Sequence, residues 1–357
     1  MPLQDDADSA AALFAALAER YTLQREIGVG GSSTVYLADD RKHRRPVAIK
    51  VLHQELSSAL GAARFAHEVE IAARLRHPHI LPLFDSGEAA DQLYYVMPFV
   101  DGESLRARLD REGHLPIDDA VRLAREIADA LSYAHAHDVV HRDIKPDNIL
   151  LESGHAVVAD FGIARALSES GSARLTGTGM SIGTPQYMSP EQASGERDVD
   201  GRADLYALGC VLFEMLGGEP PFSGPTMESV VRQHIVAEPR PITELRPGVP
   251  PDVSAALTRA MAKNPADRFT PVSRFAEALG GTPVRYVALA QPEPEPTAPT
   301  PPWVRPAVIA AVTAAFLSVA AWGYLRGAPI GSTSGSASSS ATGSATGSPD
   351  SRASGEK

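Results

Sequence analysis

Cysteine is almost missing from this chain of 357 residues, with Cys210 standing alone. A single thiol excludes an intrachain disulfide, a four-cysteine zinc site and a CxxC redox pair. Set in the apolar run Leu205 to Leu216, it is expected to pack as a small core residue. Basic charge is also in deficit, with 33 Lys and Arg against 44 Asp and Glu and a formal net charge of −11. The basic patch or stripe of a nucleic-acid protein is therefore not expected. The acidic segment Met1 to Asp8 lacks the positive n-region of a signal peptide. No GxxxxGK followed by Ser or Thr occurs, which excludes a P-loop nucleotide site.

Long apolar runs are scarce too, and the one that stands out is Ala307 to Leu325, nineteen residues without a charge. It lies between Arg305 and Arg326, with Trp303, Trp322 and Tyr324 near its ends. At about 1.5 Å per residue it just crosses a hydrocarbon core of about 30 Å, so 303–326 is expected to be a single transmembrane helix. Ahead of it, six prolines fall between Pro292 and Pro302, making 280–302 an extended spacer. Behind it, 24 of the 31 residues from Gly327 to Lys357 are Gly, Ala, Ser or Thr, a composition that cannot bury enough surface to fold.

The first 280 residues read as a folded unit. Ala10, Leu13, Phe14 and Leu17 recur at helical spacing, predicting within 1–20 a short amphipathic helix that leans on the lobe next to it. Tyr21 to Gly28 and Thr34 to Asp39 form a hairpin around a glycine-rich turn, Val47 to Leu52 a third strand, Arg64 to Arg76 a helix and Leu93 to Val100 a further strand. Beyond Ser104 helices dominate. In Asp118 to His137 the apolar Val121, Ala124, Ile127, Ala128, Leu131 and Ala134 share one face, predicting a core helix. Ile149 to Leu151 and Val157 to Ala159 are expected as short strands.

The most informative stretch is His141-Arg142-Asp143-Ile144-Lys145-Pro146-Asp147-Asn148, followed twelve residues on by Asp160-Phe161-Gly162. Moving a phosphoryl group needs an acceptor for the hydroxyl proton, cations to neutralise spreading charge, and oxygens to hold them. Asp143, Lys145, Asn148 and Asp160 supply these in order. Gly28-Val29-Gly30 and Val47-Ala48-Ile49-Lys50 precede this set and Ser189-Pro190-Glu191 follows it. The ordered motifs resemble those of eukaryotic-like (Hanks-type) bacterial Ser/Thr protein kinases over about Tyr21 to Leu279.

The resemblance implies an α+β, bilobal protein-kinase fold, with a small β-rich lobe over about 21–100, a mainly helical lobe over 101–279, and one C-terminal transmembrane helix. It implies ATP and Mg²⁺, or Mn²⁺, as cofactors. In Ile27-Gly28-Val29-Gly30-Gly31-Ser32-Ser33-Thr34-Val35 small residues would let backbone amides approach the phosphates, with Ser33 standing where the family carries a third glycine. Lys50 would orient the α- and β-phosphates and pair with a carboxylate of the next helix, Glu68 by register, with Glu70 as the rival. Ala48 would pack on adenine, Met97 would be the gatekeeper, and Pro98 and Val100 would offer hinge main-chain groups.

Asp143 would be the base and Lys145 the γ-phosphate partner, with Asn148 and Asp160 as metal ligands. His141 is expected to be structural, tied to backbone and to Asp204. Glu191 should pair with Arg268. Arg142 beside Asp143, with the hydroxyl-rich segment after Gly162, implies activation-loop phosphorylation at Thr176 and Thr178, while Thr184 would be a structural contact. Lys145 with Thr184 resembles the Ser/Thr branch of the family.

The implied activity is that of a non-specific serine/threonine protein kinase in membrane-linked signalling, single-pass in the cell membrane with its kinase domain cytoplasmic. A homodimer would allow trans-autophosphorylation. A pseudokinase and a small-molecule phosphotransferase on the same fold are the alternatives. Intact Lys50, Glu68, Asp143, Asn148 and Asp160 oppose the first, and the docking segment Gly183 to Glu191 opposes the second.

Overall fold

A computed structural model describes residues 12–161, 185–196 and 198–280. The expectations for Gly162, Thr176, Thr178 and Thr184, and for the spacer, span and tail beyond 280, fall outside these residues. Among the described residues no helix is long and apolar enough to cross a membrane.

Alternation at the 2-residue period of a strand builds the first lobe. Strands β1 (Tyr21–Val29), β2 (Ser33–Asp40), β3 (Arg45–Leu52), β4 (Asp85–Ala89) and β5 (Gln92–Pro98) form one antiparallel sheet, ordered β1-β2-β3-β5-β4. In β3, Val47, Ile49 and Val51 face one side, where they pack with Leu13 and Leu17 of a helix over 12–17, here α1. The expected amphipathic helix thus does lean on the lobe over those residues, and Phe14 meets the Tyr36 ring edge-on at 5.3 Å. Ala48 and Leu52 face the other side, toward Phe65 and Val69.

Two elements of this lobe were not foreseen. Helix α2 (Gln54–Leu60) precedes α3 (Ala62–Ala72), with Gly61 at φ +77° making the corner. The helix expected at Arg64 to Arg76 therefore begins and ends earlier. β4 has the turn-like sequence Asp-Ser-Gly-Glu-Ala, and pairing with β5 rather than local propensity makes it a strand.

In the second lobe, β6 (Glu103–Ser104), β7 (Ile149–Glu152) and β8 (His155–Val158) form a small sheet. Helix α4 (Leu105–Glu112) starts where the Ser104 hydroxyl accepts from the Ala107 amide. α5 (Ile117–His135) buries the expected face except Val121, which is half-buried. After α6 (Pro190–Ala193), helix α7 (Gly201–Gly217) is buried nearly all round, as a central core helix must be. Cys210 lies there, fully buried, and desolvation pushes its thiol pKa up. α8 (Met227–Val236), α9 (Ile242–Leu245), α10 (Pro251–Ala260) and α11 (Ser273–Ala278) complete the lobe. Only two carboxylates, Asp204 and Glu214, are carried into the core by α7, and both anchor the site.

Candidate active site

The segment between α5 and β7 is a loop closed by a 3-10 turn at Pro146–Asn148, which draws the polar side chains of one short stretch together. Lys145 Nζ donates to Asp143 Oδ2 at 2.8 Å, and Asn148 Nδ2 donates to the same oxygen at 3.0 Å and to the Asp143 carbonyl at 2.8 Å. The other oxygen of Asp143 accepts no hydrogen bond among the described residues, and its side chain keeps 35% of its exposure. With the amide nitrogen of Asn148 committed to Asp143, its Oδ1 remains as an acceptor.

This loop hangs from the core. Asp204, fully buried, accepts from the backbone amides of His141 at 2.8 Å and Arg142 at 2.7 Å, and from His135 Nε2 at 2.8 Å. The His141 ring bonds the Ala159 carbonyl through Nε2 at 2.8 Å and stacks edge-on to Phe161 at 4.6 Å. His141 is thus a buried strut rather than a base. Three donors on one buried carboxylate hold Arg142 at φ +67°, a region unfavourable for a side chain with a Cβ.

Burial raises the Asp204 pKa, but the hydrogen bond and charge of His135, with help from His141, outweigh it and leave the carboxyl below its ordinary value. A depressed folded-state pKa contributes stability that is present above about pH 4, the unfolded aspartate value, and is lost as pH falls through the folded one. Asp204→Asn should therefore cost about 1.5–3 kcal/mol near pH 7. The gap to wild type should narrow as pH drops below about 4. Denaturant unfolding at both pH values checks this, and a gap independent of pH would refute the ionised role of Asp204.

Across the cleft, Lys50 on β3 and Asp160 after β8 meet at 2.5 Å. The carboxylate that Lys50 meets is Asp160, not Glu68 as expected. Glu68 is buried on α3 and has a partner of its own. Glu70 instead faces solvent, paired with Arg74. Tyr95 on β5 donates its hydroxyl to the second oxygen of Asp160 at 2.5 Å. Burial pushes the Asp160 carboxyl up, yet the charge and bond of Lys50, with the Tyr95 bond, bring it below the usual range.

Between the lobes, Ala48, Met97 and Ala159 form an apolar patch joined by half-buried Ile27, Val35, Val100 and Leu150. Pro98 ends β5 opposite Val47. The glycine-rich turn is pinned by Gly30 N to the Ser33 carbonyl at 2.8 Å and His53 N to the Ser32 carbonyl at 3.0 Å. Thr34 Oγ1 reaches the His53 ring at 3.3 Å. Ser33, in place of the third glycine, tucks inward and is 5% exposed. A Cβ at Gly31 would meet nothing within 4 Å, so the chain's own packing does not require glycine there. Gly28, Val29 and Gly31 are all exposed on this turn.

Below the loop, Arg268 donates to both oxygens of Glu191 at 2.7 and 2.8 Å, the buried pair expected from sequence. Next to it, Gln192 Nε2 donates to the Arg142 carbonyl at 2.8 Å, tying α6 to the catalytic loop. Tyr187 donates to Glu214 at 2.5 Å, and Arg106 of α4 donates to Glu214 at 2.7 Å. Sequence reading did not find Tyr95, Leu150, His135, Gln192 or the Arg106-Tyr187-Glu214 link. Only Tyr95 left a signal, since strand alternation puts it on the same face as Leu93 and Met97.

A lysine and an aspartate facing one another across a cleft, over a loop that presents a second aspartate, is the arrangement of a phosphoryl-transfer enzyme. The chain belongs to the protein kinase domain family, which it matches over residues 21–279. It is 43% identical over 259 residues to the serine/threonine-protein kinase PknB of Mycobacterium leprae, covering 71% of this chain and 41% of that one. The PknB of Mycobacterium tuberculosis H37Rv gives the same figures. Serine/threonine-protein kinase PknD of that organism is 45% identical over 252 residues, covering 70% of this chain and 37% of its own. The match thus spans about two fifths of the length of these curated relatives.

Proposed function

We propose that this chain is a membrane-anchored serine/threonine protein kinase that transfers the γ-phosphate of ATP to protein hydroxyls. The observation that carries this reading is the Asp143 oxygen that accepts no hydrogen bond among the described residues while Lys145 and Asn148 hold the other, on a side chain that is 35% exposed. That oxygen would accept the proton of a substrate serine or threonine, with Lys145 beside it to meet the charge of the transferring phosphate. The apolar patch around Ala48 and Met97 suits adenine, and the open glycine turn suits phosphates.

The donor set fits Mg²⁺. Asn148 Oδ1 and the Asp160 carboxylate are hard oxygens, too few for an all-protein cage but sufficient with phosphates and water. Mg²⁺ held there would neutralise charge on the phosphates. Lys50 also faces Asp160, so one cluster serves both nucleotide and cation.

Two finer parts of the reading rest on sequence and on Arg142. Its guanidinium bonds the Val199 carbonyl at 3.2 Å, and its buried Nε has no partner among the described residues. It is therefore not wholly unpaired, but it meets no carboxylate there. A phosphate on Thr176 or Thr178 would bring about −1.5 to −2 charges and charge-assisted bonds to such an arginine. The span at 303–326 would hold the enzyme in the membrane.

The test is one preparation. Full-length protein should sediment with membranes, and a chain ending at Pro302 should be soluble and still move labelled phosphate from ATP with Mg²⁺. Phosphate should map to Thr176 and Thr178, and phosphatase should slow the wild type but not Thr176→Ala/Thr178→Ala. Soluble full-length protein would sink the anchor, and indifference to phosphatase would sink the activation-loop control.

A further inference from the structure

Tyr95 is the group that the reaction just described does not use. It lies on β5 directly opposite Lys50 on β3, and residues opposite one another on antiparallel strands point to the same face. Both therefore reach Asp160, one donor to each oxygen: Lys50 Nζ to Oδ2 and Tyr95 Oη to Oδ1, both at 2.5 Å. The Tyr95 ring is fully buried among apolar neighbours, including Leu93 and Met97 of its own strand and Phe65 of α3, whose ring centroid lies 6.4 Å away.

A phenol in that setting is costly unless its hydroxyl is satisfied, and among the described residues Asp160 is its only hydrogen-bond partner. A phenol carries its proton at neutral pH, and a carboxylate oxygen can only accept, so the hydroxyl is the donor in this bond. If Asp160 rotated out of the cleft, the hydroxyl would be stranded in an apolar pocket, a penalty that favours the inward carboxylate. Asp160 itself sits at φ +67°, a conformation costly for a residue with a Cβ that persists only where surrounding contacts hold it, and the bonds from Lys50 and Tyr95 are such contacts.

We propose that Tyr95 is a positioning residue for Asp160: by holding one carboxylate oxygen while Lys50 holds the other, it presents Asp160 in the single orientation that a divalent cation needs. A carboxylate oxygen has a second lone pair, so it can accept from Tyr95 and still face a cation. Groups that orient a metal ligand typically alter metal affinity by about 10- to 100-fold when removed. The inference rests on the reading of Asp160 as a cation ligand.

The experiment uses the full chain and a fluorescent ATP analogue, titrated over a Mg²⁺ series and in EDTA. Tyr95→Phe keeps the ring and loses the hydroxyl. Its half-saturating Mg²⁺ should rise about tenfold, with nucleotide affinity in EDTA within about twofold of wild type. In an Asp160→Asn background the same substitution should add nothing. Unchanged Mg²⁺ dependence in Tyr95→Phe, while Asp160→Asn loses it, overturns the proposal alone. Equal weakening with and without Mg²⁺ also overturns it, since that marks a packing role. If Asp160→Asn leaves Mg²⁺ dependence intact, the assignment of Asp160 fails and takes the proposal with it. Should Tyr95→Phe not fold by circular dichroism, 3-fluorotyrosine at position 95 decides. Its ¹⁹F resonance should move when Mg²⁺ joins bound nucleotide, and a resonance that stays fixed refutes the tether.

Discussion

Asp143→Asn is expected to slow phosphate transfer by about 10²- to 10⁴-fold while leaving nucleotide affinity nearly unchanged. The amide is isosteric with the carboxylate, so its oxygen can still accept from Lys145, which now donates to Asp143 at 2.8 Å. What it loses is basicity at the oxygen that accepts no hydrogen bond among the described residues. Lys50→Met should abolish transfer, for a different reason. Asp160 would lose its charge partner and the phosphates their orienting cation, so nucleotide binding should fall as well. Single-turnover rates with labelled ATP, beside equilibrium binding of an ATP analogue, separate the two. Normal autophosphorylation in either variant would contradict the kinase reading.

Arg268→Ala should be the most destabilising single change, at about 3–5 kcal/mol. The arginine side chain is fully buried, and besides its two bonds to Glu191 it donates to the carbonyls of Ala262, Lys263 and Arg202. Truncation strands a buried carboxylate and leaves three carbonyls short of a donor. At about 2–4 °C per kcal/mol for a domain of this size, the melting temperature should drop by roughly 10 °C. Arg268→Met/Glu191→Leu should recover part of that loss by removing the stranded charge, though not the share due to the carbonyls. A double variant no more stable than Arg268→Ala would show that the carbonyl contacts, not the ion pair, hold this corner. Because Gln192 ties the same short helix to the Arg142 carbonyl, the loss should reach the catalytic loop as slower transfer.

The parts of the site that could be read from the chain are those whose geometry is local. Asp143, Lys145 and Asn148 lie within six residues, and a proline-led 3-10 turn brings their side chains into contact with each other. The buried face of α5 was legible for the same reason, since a period of 3.6 residues assigns sides before anything packs. β4 was not, because Asp85–Ala89 has little preference of its own and becomes a strand by pairing with β5.

Lys50 shows where that local logic stops. An ammonium in an apolar strand demands a carboxylate, and this much comes from residue chemistry alone. Which carboxylate answers is a matter of distance. Glu68 stands 18 positions away and Asp160 stands 110 away, yet the lobes close so that Asp160 arrives and Glu68 is buried with another partner. Tyr95 acquires its task in the same way, through a strand register that sets it opposite Lys50 and a cleft that brings one carboxylate to both. Side-chain chemistry and short-range periodicity thus specify what each residue needs. Long-range packing chooses among the groups that could supply it, because burial makes an unmet charge or hydroxyl too costly to leave alone.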